Sequence, residues 1–135
     1  MSESPKSSEE RYHLLESVGE GANGTVYRAL DRQTGETVAV KVINLEESNE
    51  PLEEIQTELT ALIGVNHRFL VKYHNSFIKG SELNIVMEYM DCGSLGNLLQ
   101  EVDGVGFDEA TIAWIMKEMC EALSYLHDRR LLHRD

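Results

Sequence analysis

Gly19-Glu20-Gly21-Ala22-Asn23-Gly24-Thr25-Val26 is a G-x-G-x-x-G-x-V loop, preceded by Val18, and downstream of it Val38-Ala39-Val40-Lys41 is a short apolar stretch that ends in a lysine. Glycines at this spacing let the backbone turn sharply and bring its N–H groups up to phosphate oxygens with no Cβ in the way. A lysine on a nearby strand supplies the positive charge that a polyphosphate needs. The same glycine spacing also opens dinucleotide-binding βαβ units, in which the last glycine leads into a helix. Here it leads into Thr25-Val26-Tyr27, β-branched and aromatic residues that favour a strand. The pattern is that of a phosphate flap on a β-sheet. The bland alternative is a glycine-rich hairpin with no ligand.

The elements that must position these residues follow from local patterning. Tyr12–Val18 reads as a first strand; a turn-rich stretch from Asp31 to Glu36 precedes a strand over Thr37–Ile43. The linker Glu46–Pro51 turns into a helix from about Leu52 to Ile63, with Pro51 near its first position. Leu52, Ile55, Leu59, Leu62 and Ile63 follow helical spacing and form one apolar stripe. Glu58 lies at the edge of that stripe, where a carboxylate is costly unless a cation meets it. Lys41 is the obvious cation; the alternative is a solvated glutamate, which is the reading for Glu53 and Glu54. Phe69–Ile78 and Leu83–Met90 read as strands joined by a turn at Lys79-Gly80-Ser81-Glu82, and Ser94–Gln100 as a short helix. Asp108 is a good N-cap for a long helix lined by Ile112, Ile115, Met116, Met119, Ala122, Leu123 and Leu126, with Phe107 and Ile112 placed as a staple. Trp114 points off that line.

Composition narrows the function classes. The 135 residues are enough for one modest domain, and 41% hydrophobic with 27% charged residues is ordinary for a globular protein. A formal net charge of −12, from 24 acidic and 12 basic side chains, argues against a nucleic-acid or anionic-membrane binder. No apolar run approaches the roughly 18 residues of a membrane span, and the N-terminus lacks a basic-then-apolar signal segment. Cys92 and Cys120 have no metal-ligand spacing and are too few for a disulfide framework, which fits a reduced, cytoplasmic setting. Residues 1–10, small, polar and acidic, are expected to be a disordered tail.

Taken together, Gly19/Gly21/Gly24/Val26, Val38-Ala39-Val40-Lys41, Glu58 and His133-Arg134-Asp135, in that order, make the chain resemble the eukaryotic protein kinase family. Ile85-Val86-Met87-Glu88-Tyr89-Met90 followed by Gly93-Ser94-Leu95 is similar to the serine/threonine kinases of MAP kinase cascades. The resemblance implies an α+β fold: a kinase N-terminal lobe of antiparallel sheet plus one helix over 11–90, then the hinge and first helices of an incomplete helical lobe over 91–135. It implies ATP as cofactor and a protein serine or threonine hydroxyl as acceptor. Val18, Gly19, Glu20, Gly21, Ala22, Asn23, Gly24 and Thr25 would cover the phosphates, and Val26 and Ala39 would sandwich the adenine. Lys41 would hold the α- and β-phosphates, positioned by Glu58. Met87 would stand as gatekeeper, Glu88 and Met90 would hydrogen-bond the adenine edge, and Asp135 would accept the substrate hydroxyl proton. Cys92, just past the hinge, reads as an inert cysteine, the alternative being a reachable thiol.

The sequence stops on Asp135, immediately after the H-R-D triplet. The family's catalytic-loop asparagine and the D-F-G aspartate that holds Mg²⁺ have no counterpart in these residues, so Mg²⁺ is expected for the family without ligands here. Phosphoryl transfer is largely positioning and charge neutralisation, and the expectation is that the 135-residue polypeptide alone transfers little or no phosphate. The alternatives are a non-catalytic nucleotide- or partner-binding half-kinase, whose long helix would offer a protein partner an exposed apolar face, and a degraded remnant with no stable fold.

Overall fold

Alternating β-branched residues dictate the sheet. In a computed structural model that describes residues 8–21, 24–48, 51–101 and 105–133, the chain divides into two compact units. The first comprises the described residues of Met1–Gly64 with Lys72–Tyr89, the second those of Val65–Val71 with Met90–Asp135. Each is taken by itself.

The first unit begins with one helical turn, α1 (Ser8–Arg11), where the sequence reading expects a disordered tail through Glu10; residues 1–7 of that tail lie outside the described residues. It continues through β1 (Tyr12–Gly21), β2 (Gly24–Asp31), β3 (Thr37–Asn44), α2 (Leu52–Ile63), β4 (Tyr73–Lys79) and β5 (Glu82–Glu88). The strands form one antiparallel sheet in the order β1-β2-β3-β5-β4. Side chains alternate between its two faces. Val38 and Val40 project to one face with Ala29 and Val86, and Tyr12 with Phe77 completes that cluster. Val40 and Val86 are fully buried, each stabilising the fold by about 1.5–3 kcal/mol through area removed from water. Tyr12 and Phe77 belong to the two edge strands, yet their rings stack at 5.8 Å, so the sheet curls until its edges touch. Glu9 of α1 meets Lys79 of β4 at 3.1 Å beside the stack.

The opposite face carries Leu83, Ile85 and Ile43, which pack with Ile55 and Leu59 of α2. Of the expected stripe on α2 only these two residues are covered; Leu52, Leu62 and Ile63 are exposed, because the helix meets the sheet at its middle and overhangs at both ends. Pro51 stands one position before the helix, and its carbonyl accepts from Glu54 and Ile55 N–H.

Strand boundaries move where turns compete. β4 starts at Tyr73, later than Phe69, because Leu70 N–H donates to the His67 carbonyl and Phe69 N–H to His67 Nδ1, closing a turn there. β1 runs on to Gly21, past Val18, because its pairing with β2 continues through Gly21 opposite Gly24.

The second unit holds α3 (Leu95–Glu101) and α4 (Glu109–Asp128). Asn97 N–H donates to Ser94 Oγ and Ser94 N–H to Asn97 Oδ1, a reciprocal cap that makes Ser94 the boundary of α3. Asp108 caps α4, its two carboxylate oxygens accepting from Thr111 N–H and Thr111 Oγ1 at 2.9 and 3.0 Å. Ala122 and Leu126 are buried, whereas Ile112, Met116, Met119 and Leu123 of the expected line are exposed. Trp114, off that line, is exposed as well. Burial is confined to the C-terminal half of α4, where Asn66 N–H donates to Tyr125 Oη and the His67 ring lies 4.9 Å from the Tyr125 ring.

Candidate nucleotide-binding site

The β1–β2 turn is built by two strands whose register sets Gly21 opposite Gly24, Glu20 opposite Thr25 and Gly19 opposite Val26. The three glycines are not equivalent. Gly24 has φ +116°, and a Cβ built there would lie 2.2 Å from the Val42 carbonyl oxygen on β3. The sheet itself therefore requires glycine at that position. At Gly19 the nearest atom to such a Cβ is 4.0 Å away, and at Gly21 no atom of the described residues lies within 4 Å. Neither is held to glycine by the fold, so the strand around them is bare backbone open to an approaching group. Ala22 and Asn23, expected at the tip, lie outside the described residues.

Pairing continues this row across the sheet. Val26 is opposite Lys41, and Lys41 is opposite Ile85. Gly19, Val26, Lys41 and Ile85 thus form one line over four strands. Lys41 is half-buried and projects to the face that bears Ile43 and Ile85, the face packed against Ile55 and Leu59. Glu58, adjacent to Leu59, is exposed on α2. Two residues back along β3, buried Ala39 is opposite half-buried Met87. Val18 and Glu20 are exposed, and Thr25 is half-buried. At the end of β5, Glu88 N–H donates to the Lys72 carbonyl at 2.8 Å while Glu88 Oε2 accepts from Lys72 N–H at 3.2 Å. Met90 and Cys92 belong to the second unit and are exposed; Asp135 lies outside the described residues.

Two concavities occur in the first unit. One, about 300 Å³, is lined by Leu52, Ile55, Leu59, Phe77 and Leu83; the other lies against Glu53, Gln56, Thr57 and Thr60 on α2. Neither includes the glycine turn or Lys41, whose features are open backbone and charge. Among the described residues no group of three His, Cys, Asp or Glu side chains could hold a metal ion, and no helix is long and apolar enough to cross a membrane.

Two ion pairs that sequence reasoning missed hold β2 to the chain ahead of it, one to the last residue of α1 and one to β1. Arg11 donates to both oxygens of buried Asp31, Nε at 2.9 Å and Nη2 at 2.6 Å, and Gln33 N–H adds a third bond at 2.9 Å. The hydrogen bond from Arg11 outweighs the cost of burial and draws the Asp31 carboxyl from 3.8 to about 2. Arg28 of β2 donates to both oxygens of Glu16 of β1 at 2.6 and 3.1 Å, which holds the Glu16 carboxyl below its ordinary range. Asp31 followed by a polar turn and Gly35 carries an Asx-turn signal in its residue types alone. Nothing local in the sequence marks Arg11 as its partner.

Comparison with known proteins adds an independent line. The family model described as protein kinase domain matches residues 12–135. The serine/threonine-protein kinase dst2 of Dictyostelium discoideum is 39% identical over 126 residues, covering 93% of this chain and 11% of the relative. Serine/threonine-protein kinase ppk11 of Schizosaccharomyces pombe is 39% identical over 125 residues, 93% of this chain and 39% of its own length. Germinal center kinase 3 of Caenorhabditis elegans is 37% identical over 133 residues, 92% of this chain and 22% of its own length. The chain thus spans well under half the length of each of these relatives.

Proposed function

The chain belongs to the protein kinase family, and we propose that its first unit binds ATP as the nucleotide-holding part of a protein serine/threonine kinase. The observation that carries this reading is the contrast among the three glycines. Gly24 is demanded by contact with β3, whereas Gly19 and Gly21 meet no such demand, and Gly19 stands in one row with Lys41. Bare backbone beside a lysine suits a polyphosphate.

In this reading ATP, when bound, supplies the phosphoryl group that passes to a protein hydroxyl. Backbone N–H groups from Gly19 to Thr25 bind phosphate oxygens, and Lys41 adds a point charge, oriented by Glu58. Val26 and Ala39 offer an apolar surface to the base, and Met87 bounds it. The Glu88 N–H is engaged by Lys72, so the base edge is read by the Glu88 carbonyl and by Met90. Asp135 accepts the hydroxyl proton. The acidic tail, N-terminal lobe and partial helical lobe are assigned to 1–10, 11–90 and 91–135, and the setting to the cytoplasm. Mg²⁺ serves the family, and for these 135 residues by themselves the reading is nucleotide binding with little or no transfer. Exposed Ile112, Met116 and Met119 on α4 favour a second reading, a partner-binding module without a nucleotide.

Thermal unfolding with rising ATP separates the two. A ligand bound only by the folded state stabilises it by about 2.7 kcal/mol at a hundredfold excess over Kd, so the melting temperature is expected to climb with concentration. Lys41→Met and Gly21→Val should abolish the climb without lowering the melting temperature in the absence of nucleotide. No climb at millimolar ATP sinks the proposal, and phosphate transfer above the Lys41→Met background would overturn the expectation of inactivity.

A further inference from the structure

We propose that the C-terminal end of α4 and the turn at His67-Arg68 form a docking surface for a short acidic peptide segment of a partner protein, read by Arg68, Arg129 and Arg130. The chain carries a net charge of −12, yet 127–133 holds two arginines and two histidines against a single aspartate. Arg68 comes from a different segment of the same unit. All three arginines are exposed.

A run of rings joins the two segments. The Arg68 guanidinium lies 4.3 Å from the centre of the Phe69 ring, Phe69 is 5.6 Å from His67, His67 is 4.9 Å from Tyr125, and Arg129 lies 3.7 Å over Tyr125. A guanidinium laid on a ring can present N–H groups at its edge to a carboxylate; in Arg129 the Nη1 donates to the Tyr125 carbonyl at 3.4 Å, which fixes the group over the ring. Its rotamers are already restricted, so less freedom is lost on binding. Arg130 adds an independent observation. It has φ 59°, the left-handed position after a helix where glycine sits without strain. The Arg130 and Leu131 N–H groups close that helix end on the His127 and Leu126 carbonyls, at 2.9 and 3.0 Å, a backbone arrangement that glycine would serve as well.

The helix dipole accounts for a cation at the last turn of α4. It explains neither Arg68, which is on another segment, nor a side chain at the strained position. The charge balance favours a peptide over a nucleic acid. Fields are screened beyond about 8 Å at physiological salt, so a short run of carboxylates is governed by the local balance, in which the arginines outnumber Asp128. A nucleic acid would run on over a chain that is strongly negative elsewhere.

Fluorescein-labelled octaglutamate is titrated into the full 135-residue chain and followed by anisotropy at about 50 and about 300 mM sodium chloride. Saturable binding that weakens with salt is expected. Arg68→Ala with Arg129→Ala should weaken it about tenfold. Arg130→Gly should weaken it while melting no lower than the parent, since glycine relieves the backbone, so loss of binding there cannot be loss of fold. Absence of saturable binding at low salt, affinity unchanged in all these variants, or preference for an oligouridine of equal length would each overturn the proposal.

Discussion

Asp31→Asn tests whether the β1–β2 ribbon is held by charge. The side chain of Asp31 is 5% exposed and that of its partner Arg11 30%, so screening by solvent is limited. A carboxyl drawn from 3.8 to about 2 is worth about 2 kcal/mol of folded-state preference for the ionised form. The sign follows from linkage. A depressed carboxyl stabilises the fold above its unfolded value and loses that contribution as pH falls through its folded value. The full effect is therefore present at neutral pH, about half of it survives at about pH 3, and it vanishes below about pH 2. Urea unfolding of parent and variant, compared at neutral pH and near pH 3, isolates Asp31 from the other carboxylates that titrate in the same window. The expected difference is about 2 kcal/mol at neutral pH, narrowing to about 1 near pH 3. A difference that stays constant over this range would refute the reasoning, because it would make Asp31 a polar contact whose charge is irrelevant.

Three further outcomes follow from local geometry. Gly24→Ala drives a Cβ against the Val42 carbonyl in a backbone conformation that alanine avoids, and should cost about 2 kcal/mol or more in urea unfolding. Gly21→Ala meets open space and should stay within about 0.5 kcal/mol of the parent. At Cys92 the Asp91 carboxylate, at 3.4 Å from Sγ, pushes the thiol above its ordinary value. Iodoacetamide should modify it slowly and Asp91→Asn should quicken the reaction, as read by mass spectrometry of the modified peptide.

Local chemistry in the sequence was enough for most of the elements. Alternating valines over 38–42 and the capping chemistry of Asp108 act within a few residues, so strand and helix could be read directly, and α2 was placed at its observed bounds. Boundaries failed where a turn captured the backbone first, as His67 does ahead of β4. Helix spacing locates an apolar stripe but not how much of it the neighbouring element reaches, hence the exposed Leu52, Leu62 and Ile63. The glycine spacing and Lys41 suggest phosphate chemistry from residue types alone, and that reading is the one proposed above. The demand on Gly24, by contrast, comes from β3 and is invisible along the chain. Arg11–Asp31 and Tyr12–Phe77 depend on how the sheet curls, which no local window contains.

The curl also decides which end of the ribbon yields. At the Tyr12 end Arg11 holds Asp31 of β2 and Tyr12 of β1 stacks on Phe77 of β4, whereas the β1–β2 register slips between Leu14 and Ser17 and again between Ser17 and Gly19. A strip clamped at its root and notched midway behaves as a leaf spring. Bending is expected to be easier beyond the notches than at the root. Amide exchange should grade accordingly, slowest at Ala29 and Asp31 and quickening toward Gly21 and Gly24.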